Sequence, residues 1–297
     1  AEGFTSYYDD LTMKRAGILS LDRYLEGVSR TLSSVLTAPG MAFGGPAAMS
    51  QNATFVDAGV SIDPRNFQNT FVSYYPYGAI IGLGLDLSIR ERFPGQTLDD
   101  FMAALWRKHG VTEIPYTNDD LVAVLGEATG DAAFARGFFD AYVFANGRID
   151  YEALLAQAGF SLRLADPDSA WIGRPAFDFT DMGARLVSAA RLGSPIYEAG
   201  LERGDLVTSL GGRKPVSRAD LDAILDAAAP GDTLAVSYAS RGSDRTGLMM
   251  LTAAPDLEVI RYEEAGLEVT PEMEQFRHDW LSSRIPGGAP DLQRYCH

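Results

Sequence analysis

The 297-residue sequence predicts an α+β chain, a mostly helical first part followed by a small β-rich unit. Three observations predict it. Up to about residue 160, apolar residues recur at helical spacing between capping and breaking residues. From about Leu162, short β-branched and apolar runs alternate with glycine-bearing turns. A single capped helix lies among those runs, and another closes the sequence.

In chain order, "FTSYYDDLTMKRAGI" places Phe4, Tyr7, Tyr8, Leu11 and Met13 near helical spacing, with Gly17 as a stop. "SLDRYLEGVSRTLSSVLTAPG" opens on Ser20 as N-cap, carries Tyr24, Val28, Leu32 and Leu36 on one stripe, and stops before Pro39-Gly40. Residues 41–72 are rich in small and polar types and predict a long irregular segment, a kind of loop that is often functional. The run from Ala79 to Ile89 predicts a buried helix despite Gly82 and Gly84. In "TLDDFMAALWRKHG" Thr97 caps, Asp99 and Asp100 complement the helix dipole, and His109-Gly110 closes the helix. "TNDDLVAVLGEATG", "AAFARGFFDAYVFANG" and "YEALLAQAGF" complete the helical part.

Strands are then predicted in "ARLVSAA" (184–190), "DLVTSLGG" (205–212), "DTLAVSYA" (232–239) and "GLMMLTA" (247–253), with a helix at 217–228. A last helix spans 270–284, with Pro271 in its first turn. The boundaries that follow are 1–160, 161–258 and a C-terminal extension, 259–297.

At 46% hydrophobic and 22% charged residues, the chain has the composition of a folded globular protein. A net charge of −15 disfavours nucleic-acid partners, because "WRKHG" and "GGRKP" are too short to make a basic patch. No apolar run reaches the ~18 residues of a membrane-spanning helix. The lone cysteine, Cys296, excludes an internal disulfide and a cysteine-based zinc site. His109, His278 and His297 stand apart, so the chain carries no self-contained histidine metal site.

"GSPIYEAGLERGDLVTSLGG" resembles the PDZ pattern through Ser194, Pro195, Ala199, Gly200, Leu201, Gly204, Asp205, Val207 and Gly212. Gly200 and Gly204 suit turns that need φ > 0, and Asp205 can hold the turn into the next strand. The resemblance implies a groove between a sheet edge and the 217–228 helix that takes a peptide as an added strand. It also implies a loop, "WIGRP", with Ile172 and Gly173 at its centre, that holds the peptide's terminal carboxylate. The plain alternative is the same fold with a blocked or unused groove.

"EGFTSYYDDL", followed by "VSYYPYG", "LDLSIRER" and "TLDDFMAALW" and then by the PDZ-like unit, resembles the glycyl aminopeptidase family across essentially the whole chain. These are zinc peptidases of the gluzincin type, with a thermolysin-like catalytic domain and a C-terminal PDZ domain. The resemblance implies that zinc is held by the two histidines of an H-E-x-x-H helix and by a later glutamate, which maps onto Glu2. Three ligands and one open position are what zinc chemistry on a carbonyl requires. Neither the histidines nor the general-base glutamate of H-E-x-x-H occurs in these 297 residues. The resemblance therefore implies the C-terminal part of a larger enzyme. Taken alone, Glu2 is an ordinary glutamate stabilised at a helix N-terminus.

The family's Tyr-x-x-Gly motif maps onto Tyr75-Pro76-Tyr77-Gly78. The implied role of Tyr75 is to donate its hydroxyl to the developing oxyanion, an effect of about 3 kcal/mol. Tyr74 takes that role if the register slips by one, and a tyrosine packing cluster is the bland reading. Tyr77 stands where lysine is commoner. Asn66 and Asn69 either line a cleft or cap the following helix.

The expected function is the C-terminal portion of a zinc aminopeptidase that removes N-terminal residues from peptides, glycine and alanine preferred, the present chain alone being inactive. Partners would be peptide substrates, and peptide C-termini at the groove. The alternatives are a non-enzymatic PDZ scaffold and a catalytically dead structural relative. The resemblance favours a periplasmic or secreted location over the cytoplasm.

Overall fold

A computed structural model describes residues 2–56 and 65–283. The helical part runs α1 (Glu2–Arg15), α2 (Leu21–Leu36), a 3-10 turn (Pro39–Phe43), α3 (Pro46–Val56), α4 (Phe67–Thr70), α5 (Tyr74–Arg92) and α6 (Leu98–Leu105). A π turn (Trp106–Gly110), α7 (Asn118–Thr129), α8 (Ala132–Phe138), a second π turn (Phe139–Phe144) and α9 (Tyr151–Ala156) follow. Then come β1 (Phe160–Leu164), β2 (Ala170–Trp171), β3 (Phe177–Thr180), β4 (Gly183–Leu186), α10 (Pro195–Glu198) and β5 (Leu206–Leu210). The chain continues through α11 (Arg218–Leu225), β6 (Thr233–Ser240), β7 (Ser243–Met250), β8 (Thr252–Ala253), β9 (Leu257–Arg261) and α12 (Pro271–Leu281).

Local caps fix most helix starts. Ser20 accepts from the Arg23 N–H, and Thr97–Asp100 and Thr117–Asp120 form reciprocal capping boxes. Pro271 sits at the first helical position behind the Thr270 cap. Residues 41–72 are not one irregular loop: among those described, a 3-10 turn, α3 and α4 occupy much of the stretch. Pro46 opens α3, where the N–H it lacks would be unpaired anyway. Of 184–190, only the part up to Leu186 is strand.

α5 is the axis of the helical core, with Ile80, Leu83, Leu85, Leu87 and Ile89 all buried. One charged pair lies inside it. Asp86 and Arg90 pair at 3.0 Å, with side chains only 1% and 6% exposed. Asp86 also accepts from the Tyr7 hydroxyl at 2.7 Å and from the Leu98 N–H at 3.0 Å, while the Trp280 indole donates to the Tyr7 oxygen at 3.0 Å. Four elements, α1, α5, α6 and α12, therefore meet at one satisfied carboxylate, the arrangement that makes a buried charge tolerable. Burial and the adjacent Asp86 push the Tyr7 phenol well above its usual range.

The β-rich unit is a five-stranded antiparallel sheet in the order β3-β4-β5-β6-β7. Ala184 faces Val207, and Val207 faces Tyr238, with a bulge between Val207 and Ser209. Its own core gathers Ala184, Leu186, Val207, Val236, Ile196 of α10 and Leu221 and Ile224 of α11. Gly200 and Gly204 take φ of 81° and 102°, and the Asp205 carboxylate accepts from the Glu202 N–H at 2.9 Å. The turn chemistry expected of that segment is therefore present.

Outside this sheet, β1 and β9 pair with each other, Phe160 facing Arg261 and Leu164 facing Leu257. This ribbon lies on α2, where the Ser29 and Ser33 hydroxyls accept from the N–H groups of Val259 and Leu257 at 2.8 and 3.1 Å. Phe160, Val259, Trp280 and Leu281 belong to the helical core.

Candidate functional site

Two glycines set the geometry of the site. α1 and α5 run side by side in the same direction, and they touch backbone to backbone where Gly3 meets Gly78. A Cβ added to Gly3 would lie 2.2 Å from the Gly78 Cα, and one added to Gly78 would lie 2.6 Å from the Gly3 Cα. Any side chain at either position would push the helices apart. Further along the same seam, Gly82 packs under Phe4 and Tyr7. Each motif thus contributes its glycine to a single contact, "EG" through Gly3 and "YPYG" through Gly78.

That contact places Glu2 and Tyr75 within one helical turn of the same crossing point. Glu2 is exposed in the first turn of α1, and its carbonyl accepts from the Ser6 hydroxyl at 2.9 Å. Tyr75 lies in the first turn of α5, is 42% exposed, and stacks on Tyr74 with ring centroids 4.9 Å apart. Ser73 caps α5 and accepts from the Tyr75 N–H at 3.4 Å. Both helices direct their N-terminal, partially positive ends to this face, which favours negative charge there.

Tyr77 does not share the face. It is 1% exposed, its hydroxyl has no hydrogen-bond partner among the described residues, and burial raises its pKa with Arg148 opposing. The third position of the motif is therefore a core position in this chain. Asn66 makes no side-chain cap at the start of α4, and α5 is capped by Ser73 rather than by Asn69. Buried, Asn69 instead donates to the Ala190 carbonyl at 2.8 Å and accepts from the Leu192 N–H at 3.0 Å, joining the helical part to the β-rich unit.

Ile172 and Gly173 lie far along the chain, in the loop between β2 and β3. Ile172 is buried, and its carbonyl accepts from the Ile196 N–H at 3.2 Å. Gly173 has φ of 119° and packs against Ser194, and the next residue, Arg174, has φ of 50°. β3 is an edge strand of the sheet, paired only with β4.

Glu2 is the one residue here with metal-ligand chemistry. Among the described residues, no three His, Cys, Asp or Glu side chains come together in a way that could hold a metal ion. His109 turns inward, with Nδ1 3.1 Å from the Ile114 carbonyl and the ring against Tyr116, while His278 lies on α12 beside Asp279. His297 and Cys296 lie outside the described residues. A single carboxylate does not make a zinc centre, so the residues present fit the group only as contributors of one ligand.

Sequence and structure comparisons address the same region. Residues 1–81 match the family model of the M61 glycyl aminopeptidase, a stretch that contains both motifs. The chain resembles the crystal structure of an aminopeptidase N family protein from Idiomarina loihiensis, with 23% identity and a TM-score of 0.74. That match covers 95% of this chain and 48% of the other, so the chain spans about half the length of that protein. The similarity extends the shared fold well beyond residue 81. The HtrA3 PDZ domain bound to a phage-derived ligand matches 37% of this chain and 100% of its own, at 17% identity and a TM-score of 0.23. A serine endoprotease from Yersinia pestis matches 30% of each chain, at 18% identity and a TM-score of 0.25. Scores of that size carry no weight. No curated protein matches the sequence.

Proposed function

We propose that the chain forms the C-terminal portion of a zinc-dependent aminopeptidase, with Glu2 as one metal ligand and Tyr75 as the donor to the oxyanion. The observation that supports this is the Gly3–Gly78 contact, which joins two motifs 75 residues apart at one exposed, electropositive helix-end face. The match of residues 1–81 to an aminopeptidase family model supports the peptidase class. In the complete site, bound zinc would supply Lewis-acid polarisation of the scissile carbonyl or activation of a water. What this chain supplies is a negative ligand fixed in the first turn of α1 and a neutral phenol fixed in the first turn of α5. A phenol held on a rigid helix end needs no reorganisation as charge develops on the carbonyl oxygen.

In the same reading, residues 161–258 form a PDZ-type unit whose β3 edge and α11 border a peptide groove, with Ile172 and Gly173 at its carboxylate end. Glycine and alanine as preferred N-terminal residues, and export from the cytoplasm, are inherited from the family resemblance. The 297 residues alone lack H-E-x-x-H and are proposed to be inactive.

The test begins with the coding sequence upstream of Ala1. An H-E-x-x-H followed by Glu2 at gluzincin spacing is expected, and its absence favours the peptide-binding scaffold instead. In the longer protein, Tyr75→Phe should lower kcat on glycyl and alanyl substrates by about 10²–10³-fold with zinc content unchanged. Glu2→Gln should lose zinc. Unchanged kcat in Tyr75→Phe rejects the assigned role of that residue.

A further inference from the structure

The last turn of α12 closes on the seam between α1 and α5, at the end away from Glu2 and Tyr75. The final carbonyls of a helix have no partner within it, and here two in succession are taken by arginines of the two seam helices. The Asp279 carbonyl accepts from Arg90 Nη1 of α5 at 3.0 Å, and the Trp280 carbonyl accepts from Arg15 Nε of α1 at 3.0 Å. Both arginines are held in turn, Arg90 by Asp86 at 3.0 Å and Arg15 by Asp99 at 3.1 Å. Cations at the negative end of a helix dipole are favourable. Trp280 itself is fully buried, edge-on to Tyr24 and Phe160. Its indole N–H donates to the Tyr7 hydroxyl, which donates to Asp86. One helix end is thus bonded to α1 and α5 together.

Such a tie fixes what the glycine contact leaves open. Gly3 on Gly78, and Gly82 under Phe4 and Tyr7, set how closely α1 approaches α5. Glycines present no ridge against sliding along the seam, since ridges are made of side chains. The Tyr7–Asp86 bond of 2.7 Å does resist a slide, because about 1 Å of movement takes it out of hydrogen-bond range. Tyr7 lies only about 7.5 Å along α1 from Glu2. Helices curve too gently for so short a span to absorb the movement. A displacement at Tyr7 therefore arrives at Glu2 almost undiminished.

We propose that α12 is a positioning element of the proposed catalytic face. Trp280 and the carbonyls of Asp279 and Trp280 set the register of α1 on α5, and with it the spacing of Glu2 and Tyr75. The catalytic consequence rests on the peptidase reading; the register does not. Trp280 and Tyr7 touch no reacting atom and act as positioning residues. A chain ending before α12 would keep both motifs and lose their alignment.

The first arm of the test uses the 297-residue chain. Trp280→Phe keeps an aromatic ring but removes the N–H, and Tyr7→Phe removes the hydroxyl that links Trp280 to Asp86. Each should displace the Gly78 amide and Tyr75 ring resonances in NMR spectra, in the same sense. Val124→Ala, which removes buried carbon on α7, should lower stability to urea and leave those resonances in place. If Trp280→Phe does not fold, Tyr7→Phe decides. In the longer protein, either phenylalanine variant should lower kcat by about 10- to 100-fold with KM and zinc content unchanged, and Val124→Ala should not. Unmoved resonances, or equal movement in Val124→Ala, would overturn the proposal. So would an unaltered kcat in both variants where Tyr75→Phe is impaired. If Tyr75→Phe is itself unimpaired, the peptidase reading fails, and displaced resonances still support α12 as the element that sets the register.

Discussion

Adding one methyl group at Gly78 should loosen the fold where the two motifs meet. In Gly78→Ala the new Cβ would stand 2.6 Å from the Gly3 Cα, where carbon atoms ordinarily rest about 3.5–4.0 Å apart. Backbone cannot rotate out of the way as a side chain can, so α1 must retreat by about 1 Å. Overpacking of this kind costs about 1–3 kcal/mol, and the better helix propensity of alanine offsets about 0.5–1 kcal/mol of it. Net destabilisation should be roughly 1–2 kcal/mol, read from urea denaturation of the 297-residue chain. Gly137→Ala is the control. That helical glycine has nothing within 4 Å of its would-be Cβ, so the same substitution should stabilise by about 0.5–1 kcal/mol. If the two variants shift stability in the same direction by similar amounts, the backbone contact between α1 and α5 is wrong. Under the proposed zinc-peptidase assignment, a 1 Å displacement of Glu2 from Tyr75 should also lower the complete enzyme's kcat by about 10²-fold.

Asp86→Ala should cost about 3–5 kcal/mol, because it leaves the buried Arg90 without its carboxylate, and Tyr7→Phe about 1.5–3 kcal/mol, because it takes a hydrogen bond from Asp86 and leaves the Trp280 N–H unpaired; both are measured by chemical denaturation. Stability should fall on acidification. Hydrogen bonds from Arg277 hold the Glu263 carboxyl below its usual range, and the Phe134 N–H does the same for Asp131. Groups depressed in the folded state stabilise above their unfolded pKa of about 4 and lose that contribution as pH drops through the folded value. Glu263→Gln should accordingly flatten the acid limb of a Tm–pH profile. Asp10 behaves oppositely, since burial and neighbouring Asp9 raise its pKa. Asp10→Asn should raise Tm at pH 7 and have little effect near pH 3.

Features set by adjacent residues were legible in the sequence. The caps at Ser20 and Thr97, Pro271 at the start of the last helix, the positive-φ turns at Gly200 and Gly204, and the Asp205 turn are all set by residues within a few positions, and the structure has them. Candidate site residues were legible only as motif members. That Gly3 and Gly78 are the two halves of one contact depends on a crossing between helices that no local pattern encodes. Asp86 hid inside an apolar run because its partners Tyr7 and Leu98 are 79 and 12 positions away, and Trp280 reaches it only through Tyr7, itself 273 positions from Trp280. The i,i+4 spacing of Asp86 and Arg90 was the available hint.

The pairing of β1 with β9, and the docking of α12 beside Tyr7, has a consequence for how the β-rich unit can move and assemble. That unit does not hang from one linker; it is spliced into the helical body, with both its entry and exit strands zipped together on α2. Held by that ribbon and again where Asn69 bonds Ala190 and Leu192, the unit cannot tumble freely. The same splice imposes an order on synthesis. The helical core cannot close until residue 280 has been made, so the five-stranded unit, whose hydrophobic core is built from its own residues, is free to fold first. Completion of the core then waits on a loop closure across almost the whole chain, the kind of long-range step that slows folding.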